Sequence, residues 1–315
     1  MALPLIIVNP ASANGATREN WPKMASDLRT HFGAFSVAFT ESVGDGRRLA
    51  AEAAKHGTKL IIACGGDGTI SEVANGIIDS KQEAELGVLP SGTGGDFRRS
   101  LKLSTKVAAA ARALRDSRAR LIDVGRVTFV TERGEREIRH FVNVASFGMS
   151  TAVLERQRSG DATRWIPSFG SAKLSSKLSY AAATVQTTLQ SSPSEVYVQL
   201  DEAAERRLRI VELAVANARY YGGAMKIAPD AKLDDGWFDV VTIGEAGAFR
   251  ILANSPRLYL GAHLRMDEVS HALAKQVIAR PAKKDERIAV ELDGEVVGRL
   301  PVTFQIVPLA LRVRY

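Results

Sequence analysis

The sequence predicts a protein in two parts. Residues 1–125 read as an α/β unit on a parallel sheet, and residues 126–301 as a larger, β-rich antiparallel unit of sandwich type. The last strand, about residues 302–315, is free to return to the first unit. Three observations carry this. Short apolar runs alternate with helical periods as far as Gly125. Beyond it, short segments of alternating polarity dominate, punctuated by turn residues. And two glycine-rich turns, each holding an aspartate, follow two of the early apolar runs.

Taken in order, residues 5–8 are an apolar run, followed by the small-residue polar loop NPASANG. Residues 17–31 repeat with a helical period and hold Pro22 near the first turns. Residues 35–39 are a strand ending in Thr40 and Glu41, and residues 46–56 an amphipathic helix stopped by Gly57. Residues 59–64 read as a strand buried on both faces. Ile70, Val73, Ala74 and Ile77 then recur on one helical face. Residues 86–89 repeat the strand, 90–95 turn on three glycines, and Asp96 opens a helix. Residues 105–117 form an Ala/Arg-rich helix, and residues 121–124 close the parallel series.

The second part is expected to hold strands at 127–131, 137–143, 195–200, 207–215, 238–243, 276–279, 288–292, 302–307 and 309–315. Helical patterns interrupt it at 151–157, 175–189 and 246–260, and SFGSAKLSS (168–176) is the expected flexible stretch.

The chemistry concentrates in ACGGDGTISEVANG. Gly65, Gly66 and Gly68 occupy a strand-to-helix turn, where a ligand can approach the backbone. The following helix aims free N–H groups at that turn, an anion site. Asp67 would repel a phosphate there unless a divalent cation lies between them, and Mg²⁺ binds through carboxylates and phosphates. The bland alternative is a plain turn with Asp67 as helix N-cap. LGVLPSGTGGDFRRSL repeats the same grammar, so two neighbouring strands would end at one crevice. Gly-Lys occurs nowhere, which excludes a Walker A loop, and neither turn has G-x-G-x-x-G spacing.

Composition excludes more than it selects. The chain has 315 residues, 45% hydrophobic and 24% charged, ordinary for a globular protein of two domains. A single cysteine, Cys64, rules out an internal disulfide and suits a reducing cytoplasm. No basic n-region marks a signal peptide, and no apolar run approaches the ~20 residues of a membrane span. The net charge of +7 is compatible with phosphates, an anionic membrane or nucleic acid. With aromatics at 6% and none interleaved with basic residues, nucleic acid is the disfavoured partner. The five histidines and one cysteine have no zinc-ligand spacing.

Five stretches in order now carry a resemblance: GGDGTISEVANG, LPSGTGGDFRRSL, FVNVASFGMS, VANARYYGGAMKIAPDAKLDDGWFDVV and VELDGEV. They resemble the motifs of the diacylglycerol kinase catalytic-domain family, which includes soluble bacterial lipid kinases and the sphingosine and ceramide kinases and is related to NAD kinases. The resemblance implies that two-domain fold, with an active site in the cleft, ATP and Mg²⁺ as cofactors, and phosphorylation of a lipid hydroxyl. It implies nucleotide contacts from Asn9, Pro10, Ser12, Thr40, Gly65, Gly66, Asp67, Gly68, Thr69, Glu72 and Thr93. Asp67 and Asp96 would be the essential carboxylates and Glu295 the general base. Asp235, with the carbonyls of Lys232 and Trp237, would hold a structural divalent ion. The chain departs from the family pattern with Gly95 and Ser71, where Asn is common, Arg98, where Ala is common, and Ala13, where Gly is usual.

Each motif also has a plainer reading. VELDGEV is a strong Asp-Gly hairpin signal, which is compatible with Glu295 projecting between two strands. KLDDGWFD reads equally as a β-turn of solvated carboxylates. The run 98–120 holds eight Lys/Arg against one Asp and reads as a solvated helix face or as a surface near a membrane or phosphate. Trp165, Ile166, Phe169 and Leu174, flanked by Arg164 and Lys173, suit an interfacial membrane contact, with a partly buried loop as the plainer reading. The expectation is a cytoplasmic, peripherally membrane-associated lipid kinase attracted to anionic lipids, with a homodimer left open. A kinase of a soluble alcohol such as a dinucleotide, and a nucleotide-binding protein without catalysis, are the alternatives.

Overall fold

The computed structural model describes residues 2–92, 94–149, 151, 193–245, 254 and 256–315. In the first part, strands β1 (Leu5–Val8), β2 (Ser36–Phe39), β3 (Leu60–Gly65) and β4 (Glu85–Pro90) lie in the order β2-β1-β3-β4, all parallel. Helices α1 (Ala16–His31), α2 (Asp45–Lys55), α3 (Asp67–Ser80), α4 (Asp96–Ser100) and α5 (Val107–Asp116) follow them. Alternate side chains of each strand point to opposite faces. Ile7, Ile61, Ala63, Leu86 and Val88 pack with Ala50 of α2 and Val73 and Ala74 of α3. Ile6, Val8, Ile62 and Cys64 pack on the other face with Met24 and Leu28 of α1 and Leu114 of α5. Helices cover both faces, so all of β3 is buried and its run of sequence is apolar throughout.

The parallel series is closed by a different segment from the expected one. Residues 121–124 belong to a long strand, β5 (Ala119–Val130), which also absorbs the expected strand 127–131 and runs antiparallel to β14 (Glu295–Arg314). Beside β4 lies the end of β14, with Arg312–Arg314 parallel to Glu85–Gly87. The two strands expected at 302–307 and 309–315 are one. Between Val307 and Leu311 the register shifts at a bulge, with Leu309 at φ +49. A bulge bends and twists a strand, and here it lets one strand serve two sheets.

In the second part, β6 (Arg136–Phe141) pairs with β5. Six strands then form a closed antiparallel circuit: β14, β12 (Gln276–Pro281), β8 (Ser194–Leu200), β9 (Arg206–Ala216), β7 (Val144–Gly148) and β13 (Ala289–Leu292), returning to β14. The expected sandwich is therefore a barrel, which β10 (Phe238–Gly244) and β11 (Val269–Ala274) extend from β9. Closure pairs edges that an open sheet leaves unpaired, and strand alternation alone does not distinguish the two. The expected helices at 151–157 and 175–189 lie outside the described residues except at Thr151, and that at 246–260 is described only at Asn254 and residues 256–260. Among the described residues no helix is long and apolar enough to cross a membrane.

The barrel core is aromatic. Phe141 stacks on Phe238 at 5.5 Å and meets Phe304 edge-on at 6.2 Å. Gly125 of β5 gives Phe141 its room, because a Cβ there would overlap the ring. Gly125→Ala is expected to push Phe141 out of this cluster and destabilise the protein by about 1–3 kcal/mol. An unchanged urea midpoint would show that the cluster repacks freely.

Candidate active site

The strands β1, β3 and β4 end on one edge, and hydrogen bonds join the loops that leave them. Asn9 donates its backbone N–H to the Cys64 carbonyl (2.9 Å) and its side-chain amide to Thr69 Oγ1 (3.1 Å), while its Oδ1 accepts the N–H of Ala11 (3.0 Å). Pro10 follows, half-buried, in the same turn. The Ser12 hydroxyl donates to the Asn9 carbonyl (2.8 Å) and pairs with Thr17 (2.7 Å), whose hydroxyl pairs with Ser91 (2.6 Å). Thr40 is buried at the end of β2, and its N–H donates to Val8 (2.9 Å). Ala13 has φ +54, a conformation that glycine adopts without strain.

The two glycine loops cross backbone to backbone. A Cβ on Gly92 would overlap Gly66 Cα, and one on Gly65 would overlap the Thr69 side chain. Gly68, in the first turn of α3, is exposed with open space around it. Thr93 lies outside the described residues, as do 164–174, so the structure places neither.

Carboxylates fasten these loops. Asp67 is the first residue of α3, whose N-cap is Gly66, so it does not cap its own helix. Its oxygens reach across to α4 and accept the N–H groups of Asp96 (3.1 Å) and Phe97 (3.0 Å). Asp96 is itself buried and reaches into the second part. Its Oδ2 accepts from Gly223 (2.8 Å), and its Oδ1 accepts from Ala224 (2.7 Å) and the Arg99 guanidinium (2.9 Å). Burial, and next the nearby charge of Asp67, push the Asp96 carboxyl above the usual range. Glu72 faces α2, where it accepts the N–H groups of Gly44 (2.8 Å) and Gly46 (2.9 Å). Arg98, first in the basic run, donates to the Leu103 carbonyl (2.7 Å).

The hairpin between β13 and β14 supplies a second cluster. Asp293 (φ +50) and Gly294 (φ +89) form a two-residue turn that pairs Leu292 with Glu295. Glu295 is about one-third exposed, with Arg139 Nη1 at 3.9 Å. Asp293 is buried, and its carboxylate accepts N–H groups from Val142 (3.1 Å) and Asn143 (2.9 Å).

KLDDGWFD is a turn seated on Asp123. That wholly buried carboxylate accepts the N–H groups of Gly236 (2.6 Å) and Leu309 (2.8 Å). Lys232 and Asp235 are exposed; Asp235 accepts the N–H of Trp237 (3.2 Å), whose ring lies under the Lys275 ammonium at 4.5 Å. Sequence reasoning passed over Asp123 and Asp293. A lone carboxylate in the apolar run LIDVG was the available signal for the first, whereas Asp293 looked like an ordinary hairpin residue.

Among the described residues no three His, Cys, Asp or Glu side chains form a protein-only metal cage. Each Asp67 oxygen accepts one backbone N–H and keeps a lone pair. Together with substrate phosphates and water, that donor set fits Mg²⁺, which binds through one or two carboxylates.

Residues 4–127 match the family model described as the diacylglycerol kinase catalytic domain, and residues 158–315 the model described as the YegS C-terminal NAD kinase beta sandwich-like domain. A diacylglycerol kinase from Mycobacterium tuberculosis (strain ATCC 25618 / H37Rv) is 30% identical over 313 residues, 98% of this chain and 93% of that one. One from Bacillus subtilis (strain 168) is 29% identical over 301 residues, 95% of this chain and 91% of that one. The solved structure of a diacylglycerol kinase from Bacillus anthracis str. Sterne shares the fold, with a TM-score of 0.71 at 21% identity over 99% of this chain and 96% of that one.

The Asp293 carboxyl is raised from 3.8 to about 6, first by burial, which outweighs its hydrogen bonds. Its folded form therefore holds the proton more tightly than the unfolded one. The stability this contributes is full below about pH 4 and is lost as pH rises through about 6. Asp293→Asn cannot titrate and is expected to lack that decline. Thermal unfolding of both proteins from pH 4 to pH 7 checks this, and parallel curves would contradict it.

Proposed function

The chain belongs to the diacylglycerol kinase family, and from that membership we propose that it transfers the γ-phosphoryl group of ATP to the hydroxyl of a lipid alcohol, diacylglycerol or a close relative. The observation that carries the reading is the crossing of the two glycine loops at the start of α3. There Asp67 and Asp96 join the loops to the barrel's Gly223–Ala224 turn. Phosphoryl transfer asks mainly for positioning and charge stabilisation. The first N–H groups of α3 suit the nucleotide phosphates. Mg²⁺, held by Asp67 and the phosphates, supplies neutralising charge on the transferring group. Glu295, exposed enough to meet an acceptor, takes the hydroxyl proton as the acceptor oxygen bonds to the γ-phosphorus and ADP leaves.

The lipid must come from a bilayer that no described helix is fit to cross. The net charge of +7 would draw the protein to anionic lipid, screened within about 10 Å at 0.1 M salt. We propose peripheral contact with such a surface on the cytoplasmic side. The deciding experiment offers radiolabelled ATP with vesicles of long-chain diacylglycerol and anionic lipid, and separately with NAD. Label is expected in the lipid fraction and is expected to fall as salt rises. Label in NAD alone would overturn the lipid reading in favour of a soluble acceptor.

Asp235, whose carboxylate is exposed, is the proposed place of a second, structural divalent ion, because the family resemblance would set it with the Lys232 and Trp237 carbonyls as ligands. A ligand that binds only the folded state raises its stability by mass action. Added Mg²⁺ is expected to raise the melting temperature of wild type more than that of Asp235→Ala. An equal rise in both would count against the site.

A further inference from the structure

We infer that residues 256–266 form the surface by which this protein docks on an anionic bilayer, with Tyr259 and Leu260 entering the headgroup region and Arg257 and Arg265 pairing with lipid phosphates. The inference deepens the proposed function and rests on its lipid acceptor, since a soluble acceptor would need no such surface.

The segment is firmly seated on its inner side. Residues 256–260 are helical, Gly261 turns the chain at φ +73, and His263–Arg265 make a single 3-10 turn. Leu258 and Leu264 pack with Met225 against Tyr221, Ile227 and Val241. Buried His263 donates from Nε2 to the Ile227 carbonyl (2.9 Å), and the Leu258 carbonyl accepts the N–H of Lys226 (2.8 Å). A Cβ on Gly261 would overlap the Pro229 ring, so the turn lies close against that stretch.

The outer side is apolar and basic. Tyr259 is 47% exposed and its neighbour Leu260 is 75% exposed. Single exposed apolar residues are ordinary, so the surrounding charge selects the partner. Arg257 stands one helical turn before Leu260, and Arg265 follows in the 3-10 turn; both are exposed. Residues 256–266 contain no Asp or Glu, and the first acidic residue, Asp267, comes after both arginines. An aromatic and an aliphatic side chain flanked by arginines complement the headgroup region of an anionic bilayer.

The position suits delivery of a lipid. Lys226, bonded to Leu258, follows by two residues Ala224, whose N–H, like that of Gly223, is accepted by Asp96. A bilayer docked on residues 256–266 would therefore lie beside the barrel turn that the second glycine loop grips.

The test compares wild type with Leu260→Ser, the double variant Arg257→Gln/Arg265→Gln, and Leu3→Ser. Leu3 is also exposed, but it precedes β1, at the end away from the glycine loops. Binding to phosphatidylglycerol–phosphatidylcholine vesicles is measured by sedimentation. Label transfer from ATP is measured to diacylglycerol in those vesicles and to a short-chain diacylglycerol in free solution. Leu260→Ser is expected to weaken vesicle binding about tenfold. The double arginine variant is expected to weaken it by about fivefold for each charge, a loss that shrinks as salt is raised. Both should raise the KM for vesicle diacylglycerol and leave turnover of the short-chain acceptor unchanged, and Leu3→Ser should match wild type throughout. The Trp in Leu260→Trp should shift its emission to the blue on vesicle addition, beyond any change in wild type. Vesicle binding unchanged in Leu260→Ser and in the arginine variant, an equal loss in Leu3→Ser, or no shift from Leu260→Trp would overturn the inference. Wild type that binds vesicles through this surface but labels neither form of diacylglycerol would instead overturn the acceptor assignment, a failure distinct from the first.

Discussion

A buried backbone N–H needs an acceptor, and at the junctions of this protein an aspartate supplies it. Asp67 takes the N–H groups of Asp96 and Phe97, Asp96 those of Gly223 and Ala224, and Asp293 those of Val142 and Asn143. Each pair lies at a turn or helix start, where regular structure leaves donors unmatched. One carboxylate with two oxygens closes two donors at once and ties together segments far apart in sequence. Removing any of these aspartates would strand two N–H groups, which is why the loops, the barrel turn and the hairpin form one arrangement.

The second continuity is covalent. β14 runs from Glu295 at the hairpin, along the barrel, through the bulge near Leu309, to a parallel pairing with β4. Asp123 accepts the Leu309 N–H at that bulge, so a buried carboxylate holds the point where the strand changes sheet. The base candidate and the sheet that carries the glycine loops thus meet the two ends of one strand.

These tethers gather negative charge. Burial first, with the nearby charge of Asp67 adding to it, pushes the Asp96 and Asp293 carboxyls upward. Cations offset part of this, since Arg99 bonds Asp96 and Arg139 lies near Glu295. The Mg²⁺-bound nucleotide of the proposed reaction would bring a further cation to this cluster.

Local pattern was enough for part of this. Continuous apolar runs marked β1, β3 and β4 as strands covered on both faces, because a parallel sheet under helices leaves no polar side to record. The glycines marked the loops and Asp-Gly marked the hairpin, because those backbone conformations tolerate few other residues. Asp67 stood out as a candidate for the same reason, being a carboxylate set in such a turn, whereas Glu295 became one only through the ordered motifs of the family resemblance. Partners across long sequence distances were not legible. Nothing in LIDVG says that Asp123 serves Gly236 and Leu309, and nothing in VELDGEV says that Asp293 serves Val142 and Asn143. Strand alternation fits a sandwich and a barrel alike, and only the pairing of β13 and β12 with the same β14 closes the circuit. Conformation along the chain is set by neighbours, so the sequence by itself determined most of the elements and marked the candidate residues for the chemistry. Which donor each buried carboxylate answers is set by three-dimensional proximity, and the tertiary structure alone decided it.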